Sequence, residues 1–252
     1  MKDKLEKLYQ KYNRREYAAY DPLGFLYAYE NLHEREIVAL LASALAYGRV
    51  AQILKSVAFV LETLGQSPCL FLKENSPDRI RNSFREFRHR FATGGHLADL
   101  LIGTKEILQQ YGSLHECFAA GMGKKDQDAV PALILFCEHL RNTGDPAHLV
   151  PHPEKGSACK RMNLFLRWMV RKDSVDPGGW DNISKSKLIV PLDVHMHRIS
   201  LKLGLTQRKQ ANMRTAREIT AAFARWVPED PVRYDFALTR PGIGGEQMPD
   251  LL

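Results

Sequence analysis

The chain has 252 residues, 44% of them hydrophobic, enough for one large domain or two lobes sharing a cleft, and this composition excludes wholesale disorder. Its 36 Lys and Arg against 29 Asp and Glu give a net charge of +7 and a pI near 9.2, a balance that suits a polyanionic partner. The charged start Met1-Lys-Asp-Lys-Leu-Glu-Lys predicts no signal peptide, and no apolar run approaches the roughly 20 residues of a membrane span. Cys69, Cys117, Cys137 and Cys159 show no C-x-x-C spacing, so the expectation is a cytoplasmic protein with free thiols, no bound metal and no membrane attachment.

Residues 2–15 read as a charged surface helix with Leu5, Leu8 and Tyr12 on one stripe. Asp21-Pro22 pairs a cap with an N1 proline, and Phe25, Leu26, Tyr29 and Leu32 follow at helical spacing. Glu34 to Tyr47 is the most apolar helix. Ile37, Val38, Leu40, Leu41, Ala44 and Leu45 leave it little polar face, which predicts burial on most sides. Gly48-Arg49 breaks it, and a further helix is predicted from about Val50 to Leu64. More helices are expected at roughly 76–90, 96–111, 113–121 and 128–141, punctuated by Ser76-Pro77, Gly94-Gly95, Gly112, Gly121 and Gly123. In the first of these Arg79, Arg81, Arg85, Arg88 and Arg90 interleave with Phe84, Phe87 and Phe91. Basic residues among aromatics can form a nucleic-acid surface, but an amphipathic helix with phenylalanines in the core and arginines in water is the reading adopted.

Residues 142–156, with Pro146, Pro151 and Pro153, form a polar linker where two lobes could divide. Ser157 is the expected cap of a helix reaching about Lys172, with Met162, Phe165, Leu166 and Met169 as its buried stripe. Lys160, Leu164, Arg167 and Arg171 fall on the opposite face, so Lys160 faces water or a cleft against another lobe. An apolar run then leads to Asp193, the predicted N-cap of a helix carried by Met196, Ile199 and Leu203 and ended by Gly204. His195 and His197 would stand about 200° apart on it, a poor metal pair, and a polar supporting role suits them better. No stretch shows the Val/Ile/Thr alternation of a strand, so the predicted fold is all-α, a single two-lobed helical domain over 1–252 without a sheet.

The segment Asp193-Val-His195-Met-His-Arg198-Ile, followed by Leu203-Gly204-Leu205, resembles the V-D-T-H-apolar-x-R-apolar segment of the helix-hairpin-helix (HhH-GPD) base-excision DNA glycosylases, with Val194 in place of the usual threonine. The L-P-G-x-G-x-K hairpin that ordinarily precedes the aspartate is missing, and between residues 160 and 193 there is only Asp176-Pro-Gly-Gly-Trp180. Instead, Lys160-Arg161-Met162 stands 33 residues before Asp193, a layout similar to that of the archaeal 8-oxoguanine DNA glycosylases. From about residue 20 to 238 the chain also resembles an uncharacterised bacterial family. Its layout is Glu34-Arg-Glu-Ile-Val, Leu45-Ala-Tyr-Gly-Arg-Val, Lys160-Arg-Met-Asn-Leu-Phe-Leu-Arg-Trp-Met-Val-Arg-Lys-Asp173 and Pro191-Leu-Asp-x-His.

The resemblance implies a DNA glycosylase fold acting on an oxidised base such as 8-oxoguanine, with AP lyase activity and no cofactor. Its partner is DNA, held by the phosphate backbone and by a base flipped out of the stack. Lys160 would attack C1′ and form a Schiff base, helped by the cations Arg161 and Arg167, and Asp193 would take the lysine's proton and stabilise the sugar cation. Ala46, Tyr47, Gly48 and Arg49 would line the base pocket; otherwise Tyr47 is a core-edge tyrosine with its hydroxyl in water. Trp168 and Trp180 are candidates for stacking on the base, and Arg161, Arg167, Arg171, His195 and Arg198 for contacts to DNA. Arg240-Pro-Gly-Ile-Gly looks like the glycosylase hairpin but follows the aspartate, so residues 240–252 are read as a tail. The alternatives are the same scaffold binding nucleic acid without catalysis, and a helical scaffold for a protein partner.

Overall fold

The computed structural model describes residues 1–243, and these are essentially all-α. In chain order the α-helices are α1 (Lys2–Tyr12), α2 (Leu32–Ala44), α3 (Val50–Leu64), α4 (Pro68–Glu74), α5 (Pro77–Ser83), α6 (Gly94–Tyr111), α7 (Leu114–Ala120), α8 (Val130–Arg141), α9 (Lys160–Val170), α10 (Val194–Lys202), α11 (Met213–Ala224) and α12 (Asp235–Ile243). Two compact units share them. One takes Met1–Ala19, Gln127–Ala129 and the chain from Pro153 onward; the other takes Tyr20–Asp126 and Val130–His152.

In the second unit α2 is buried from Glu36 through Ala44, and α3, α4 and α7 pack around it. The one charge in that buried stretch is satisfied locally: Glu36 accepts the backbone N–H groups of Leu114 at 2.8 Å and His115 at 3.1 Å, so a carboxylate closes the free N-terminus of α7. Lys105 does the converse for α4, donating to the carbonyls of Leu72, Lys73 and Asn75.

Three expectations need correction here. The stripe Phe25–Leu32 does not form one α-helix: Pro22–Ala28 is a 3₁₀ segment, and Asn31 starts α2 by accepting from the His33 and Glu34 N–H groups. The helix predicted over 76–90 stops at Ser83. The chain then forms an antiparallel ribbon of β1 (Arg88–His89) and β2 (Ala92–Thr93), so a small sheet exists where none was expected. The cause is tertiary. Gly94, the first residue of α6, lies so close to the Phe84 carbonyl that a Cβ there would sit 1.9 Å from the oxygen, and the chain must turn to let α6 pass. Phe84 and Phe87 are core residues as read, whereas Phe91 is exposed.

In the first unit α1 and α10 pack on α12. Leu5, Leu8 and Tyr12 of α1 are buried, as their spacing predicts. Ser157 does not cap α9; it is held in a bridge with Asn212, and Cys159 occupies the cap position with φ +48 and no side-chain hydrogen bond to the helix. The C-terminus of α9 is closed by the turn through Asp176-Pro-Gly-Gly-Trp180. The N–H groups of Gly178 and Trp180 reach the Trp168 and Met169 carbonyls at 3.0 and 2.8 Å. Gly178 there has φ +68, and a Cβ would meet the Arg171 carbonyl oxygen at 2.9 Å. Arg240 and Pro241 continue α12 and are not a tail; residues 244–252 lie outside the described part of the chain. No helix among the described residues is long and apolar enough to cross a membrane, and all four cysteines are free thiols.

Candidate active site

Asp193 sits in extended backbone before α10 and divides its carboxylate between two tasks. Oδ1 accepts the His195 and Met196 N–H groups, both at 2.9 Å, and caps the helix. Oδ2 faces the Lys160 ammonium at 3.2 Å. The approach to Asp193 is pinned where the Val190 N–H donates to Thr220 Oγ1 on α11 at 3.0 Å. Lys160 is the first residue of α9, placed there by the left-handed turn at Cys159. An ammonium at the positive end of a helix is disfavoured by up to about 1 kcal/mol, and Asp193 offsets this.

Both side chains keep a face to solvent, Lys160 at 35% and Asp193 at 26% exposure. Burial pushes the Asp193 carboxyl up, but the Lys160 ammonium and the Met196 N–H outweigh it and hold the group below the usual carboxylate range. Asp193 is therefore an anion at neutral pH, in salt-bridge contact with the only amine of the pair. Such a pair can pass a proton and free an amine for attack on a carbon electrophile.

Behind this pair lies a buried network of two arginines and four aspartates. Arg167 donates to Asp176 (Nε to Oδ1, 3.2 Å) and to Asp235 (Nη1 to Oδ2, 2.5 Å). Arg171 binds Asp230 with its Nε and Nη2, reaches Asp176 with Nη1, and donates to Asp173 at 2.8 Å. Tyr9 of α1 closes the chain by donating to Asp173 Oδ2 at 2.8 Å. Burial pushes the Asp176 and Asp235 carboxyls up against the pull of Arg167; Asp235 also feels the charges of Asp193 and Lys160, which ties the network to the exposed pair.

These contacts correct several sequence assignments. Arg167 and Arg171 are buried and committed to aspartates, so neither can hold a DNA phosphate. Trp168 and Trp180 are 1% and 0% exposed, Trp180 packed edge-on to Phe165, so neither offers a face to a flipped base. Arg161 is half-buried; His195 and Arg198 are exposed on the first turns of α10, with Arg198 Nη2 at 3.5 Å from His195 Nδ1. His197 is turned to the Arg208 carbonyl at 2.7 Å.

Tyr47 and Arg49 belong to the second unit, and Arg49 is exposed there. The Tyr47 hydroxyl is engaged by protein groups. It donates to the His89 carbonyl at 2.8 Å and accepts from His148 Nε2 at 2.9 Å.

Sequence reasoning missed the four aspartates. The clue was present: from Phe165 to Val170 every residue except Arg167 is apolar, and a lone charge in a turn and a half that is otherwise apolar on every side is paired inside the protein.

Compared with curated proteins and with solved structures, the chain finds no match in either. Residues 21–244, nearly all of it, match a family described as a protein of unknown function, DUF2400, and the chain belongs to that family.

Proposed function

We propose that this protein is a base-excision DNA glycosylase with AP lyase activity, acting on an oxidised base such as 8-oxoguanine. The observation that carries the reading is the 3.2 Å approach of Lys160 Nζ to Asp193 Oδ2, with Asp193 anchored by its other oxygen. Its support beyond that is the resemblance of the Asp193–Arg198 segment to the glycosylases and the net charge of +7. The cysteines and the absence of a span among the described helices fit work in the cytoplasm.

The damaged nucleotide is extruded from the duplex, because its C1′ cannot be reached in the stack. The Lys160 ammonium gives a proton to Asp193, and the neutral amine attacks C1′. The glycosidic C–N bond breaks and its electron pair leaves on the base, which takes the proton that Asp193 holds. The C1′–O4′ bond then opens, O4′ takes one proton from the newly bonded nitrogen, and a protonated imine joins Lys160 to the sugar. Once it has given up that proton, the ionised Asp193 opposes the positive charge shared by the substituted nitrogen and the sugar through ring opening.

With borohydride and a duplex carrying 8-oxoguanine, the wild-type protein should form a covalent adduct, since reduction fixes the imine. Lys160→Gln should form none and bind the duplex almost as well, because one charge among many changes the salt dependence by at most about 0.9 in the log–log slope. An adduct formed equally by both proteins would move the nucleophile elsewhere. Binding without any adduct across a panel of lesions would favour the non-catalytic scaffold, in which Asp193 serves as a cap alone.

A further inference from the structure

The ribbon β1–β2 of the second unit is not used by the chemistry above, yet it is an unusual piece of local structure. Its register pairs Arg88 with Thr93 and His89 with Ala92, leaving Arg90 and Phe91 as a two-residue loop. Arg90 has φ +53 while Phe91 does not have a positive φ, so the first loop residue takes the conformation that tight hairpins ordinarily reserve for glycine. An arginine held there is strained, and such strain persists where the surroundings over-determine it.

The surroundings do so. The Ser56 hydroxyl lies 2.8 Å from His89 Nδ1, and His89 Nε2 lies 3.1 Å from the Tyr47 carbonyl. The Tyr47 hydroxyl in turn bonds the His89 carbonyl, so the strand is clamped on both sides of its backbone. A carbonyl can only accept, so His89 Nε2 carries a proton and donates it to Tyr47. The Arg90 side chain lies across Gly48, where a Cβ would meet its Cδ at 2.9 Å, and its guanidinium stands 5.5 Å from the centre of the Phe91 ring.

This rigid base presents a phenylalanine that is 72% exposed, with the His148 ring edge-on at 6.4 Å, next in sequence to exposed Arg90 and three residues after exposed Arg88. Beside the ribbon is a shallow cavity of about 230 Å³, large enough for one nucleobase. It is walled by the stacked rings of Phe59 and Phe87, 6.0 Å apart, and by Lys55 and Arg88, with Glu86 the one carboxylate on its lining. A large apolar ring ringed by fixed cations is costly in water and complements a strand of stacked bases on a polyanionic backbone.

We infer that the 88–93 hairpin is a nucleic-acid contact in which Phe91 stacks on an unstacked base and Arg88 and Arg90 hold the flanking phosphates. It shares its partner class with the proposed function but not its residues.

The test uses the full chain and a duplex with 2-aminopurine opposite a tetrahydrofuran abasic analogue. Binding of the wild type should quench the 2-aminopurine fluorescence. Phe91→Ala should weaken binding by about 5- to 150-fold and remove the quench, and Phe91→Trp should keep both, as base–aromatic stacking is tolerant of the ring's identity. Arg88→Gln and Arg90→Gln should each lower the log–log salt slope by about 0.9. Phe91 is exposed, so its alanine variant should melt with the wild type. Unchanged affinity in Phe91→Ala, or no binding of the duplex by the wild type, overturns the inference; the latter would leave a protein surface as the occupant. Phe91-dependent binding without a borohydride adduct would sink the proposed chemistry and spare the hairpin. An adduct with Phe91-independent binding would do the reverse.

Discussion

Asp193→Asn should leave the protein folded and slow adduct formation by about 10²- to 10³-fold. Asparagine retains an oxygen for the His195 and Met196 N–H groups, and asparagine and aspartate are near-equal caps, so the melting temperature should stay within a few degrees of wild type. With that oxygen kept on the helix, the amide nitrogen faces Lys160, where Oδ2 now stands at 3.2 Å. A proton acceptor becomes a donor, so the lysine loses its counter-ion and the sugar cation its opposing charge. Asp193→Ala separates the two tasks by removing both, at an added cost of about 1 kcal/mol for the lost cap. Because the Asp193 carboxyl is held below its ordinary value near 3.9, its charge contributes fully above that pH and is lost only as pH falls through the lower folded value. An acid limb of the rate profile above about pH 4 would therefore belong to another group. A single-turnover trapping rate for Asp193→Asn equal to wild type would reduce Asp193 to a cap.

Arg171→Met should destabilise the first unit by about 3–5 kcal/mol, because it strands Asp230, Asp173 and Asp176 in the interior without their shared cation. For a chain of this size that is a fall of roughly 6–20 °C in melting temperature, read by circular dichroism. Arg171→Lys keeps the charge but not the two-pronged grip on Asp230, and should recover only part of the loss. Were Arg171 a phosphate contact, as its place on the helical wheel suggested, Arg171→Met would instead melt with wild type and lower the salt slope of DNA binding by about 0.9.

The contrast between Arg171 and Asp193 shows what was legible in the residues alone. Asp193 announces itself because capping is local: the side chain bonds N–H groups two and three residues on, and nothing distant is needed. The α3 boundaries were equally local, set by Gly48 on one side and Gly65 on the other. Arg171 was misread because its helix fixes only the direction it points. Whether that direction holds water or carboxylates depends on Asp230, some sixty residues away, and on the turn that brings Asp176 back over α9. The Phe84–Phe87–Phe91 spacing failed for a similar reason. It satisfies a helical period, and the passage of Gly94 under the Phe84 carbonyl, which ends the helix, is written in no local pattern. The pairing of Lys160 with Asp193 needed both kinds of information, and the distant half came only from the resemblance of the Lys160–Met162 and Asp193–Arg198 segments to the glycosylases.

The first unit is closed by segments far apart in sequence: Arg233 and Tyr234 bond Glu6, and α1 lies on α12. During synthesis α1 therefore leaves the ribosome with Leu5, Leu8 and Tyr12 bare and waits for about 220 further residues, roughly 10–45 s at ordinary elongation rates. The second unit is contiguous but for three residues and can complete itself within that interval. The nascent chain thus carries a helix with an unseated apolar stripe while residues 13–234 are made, and α1 is a segment that a ribosome-bound chaperone can hold throughout that interval.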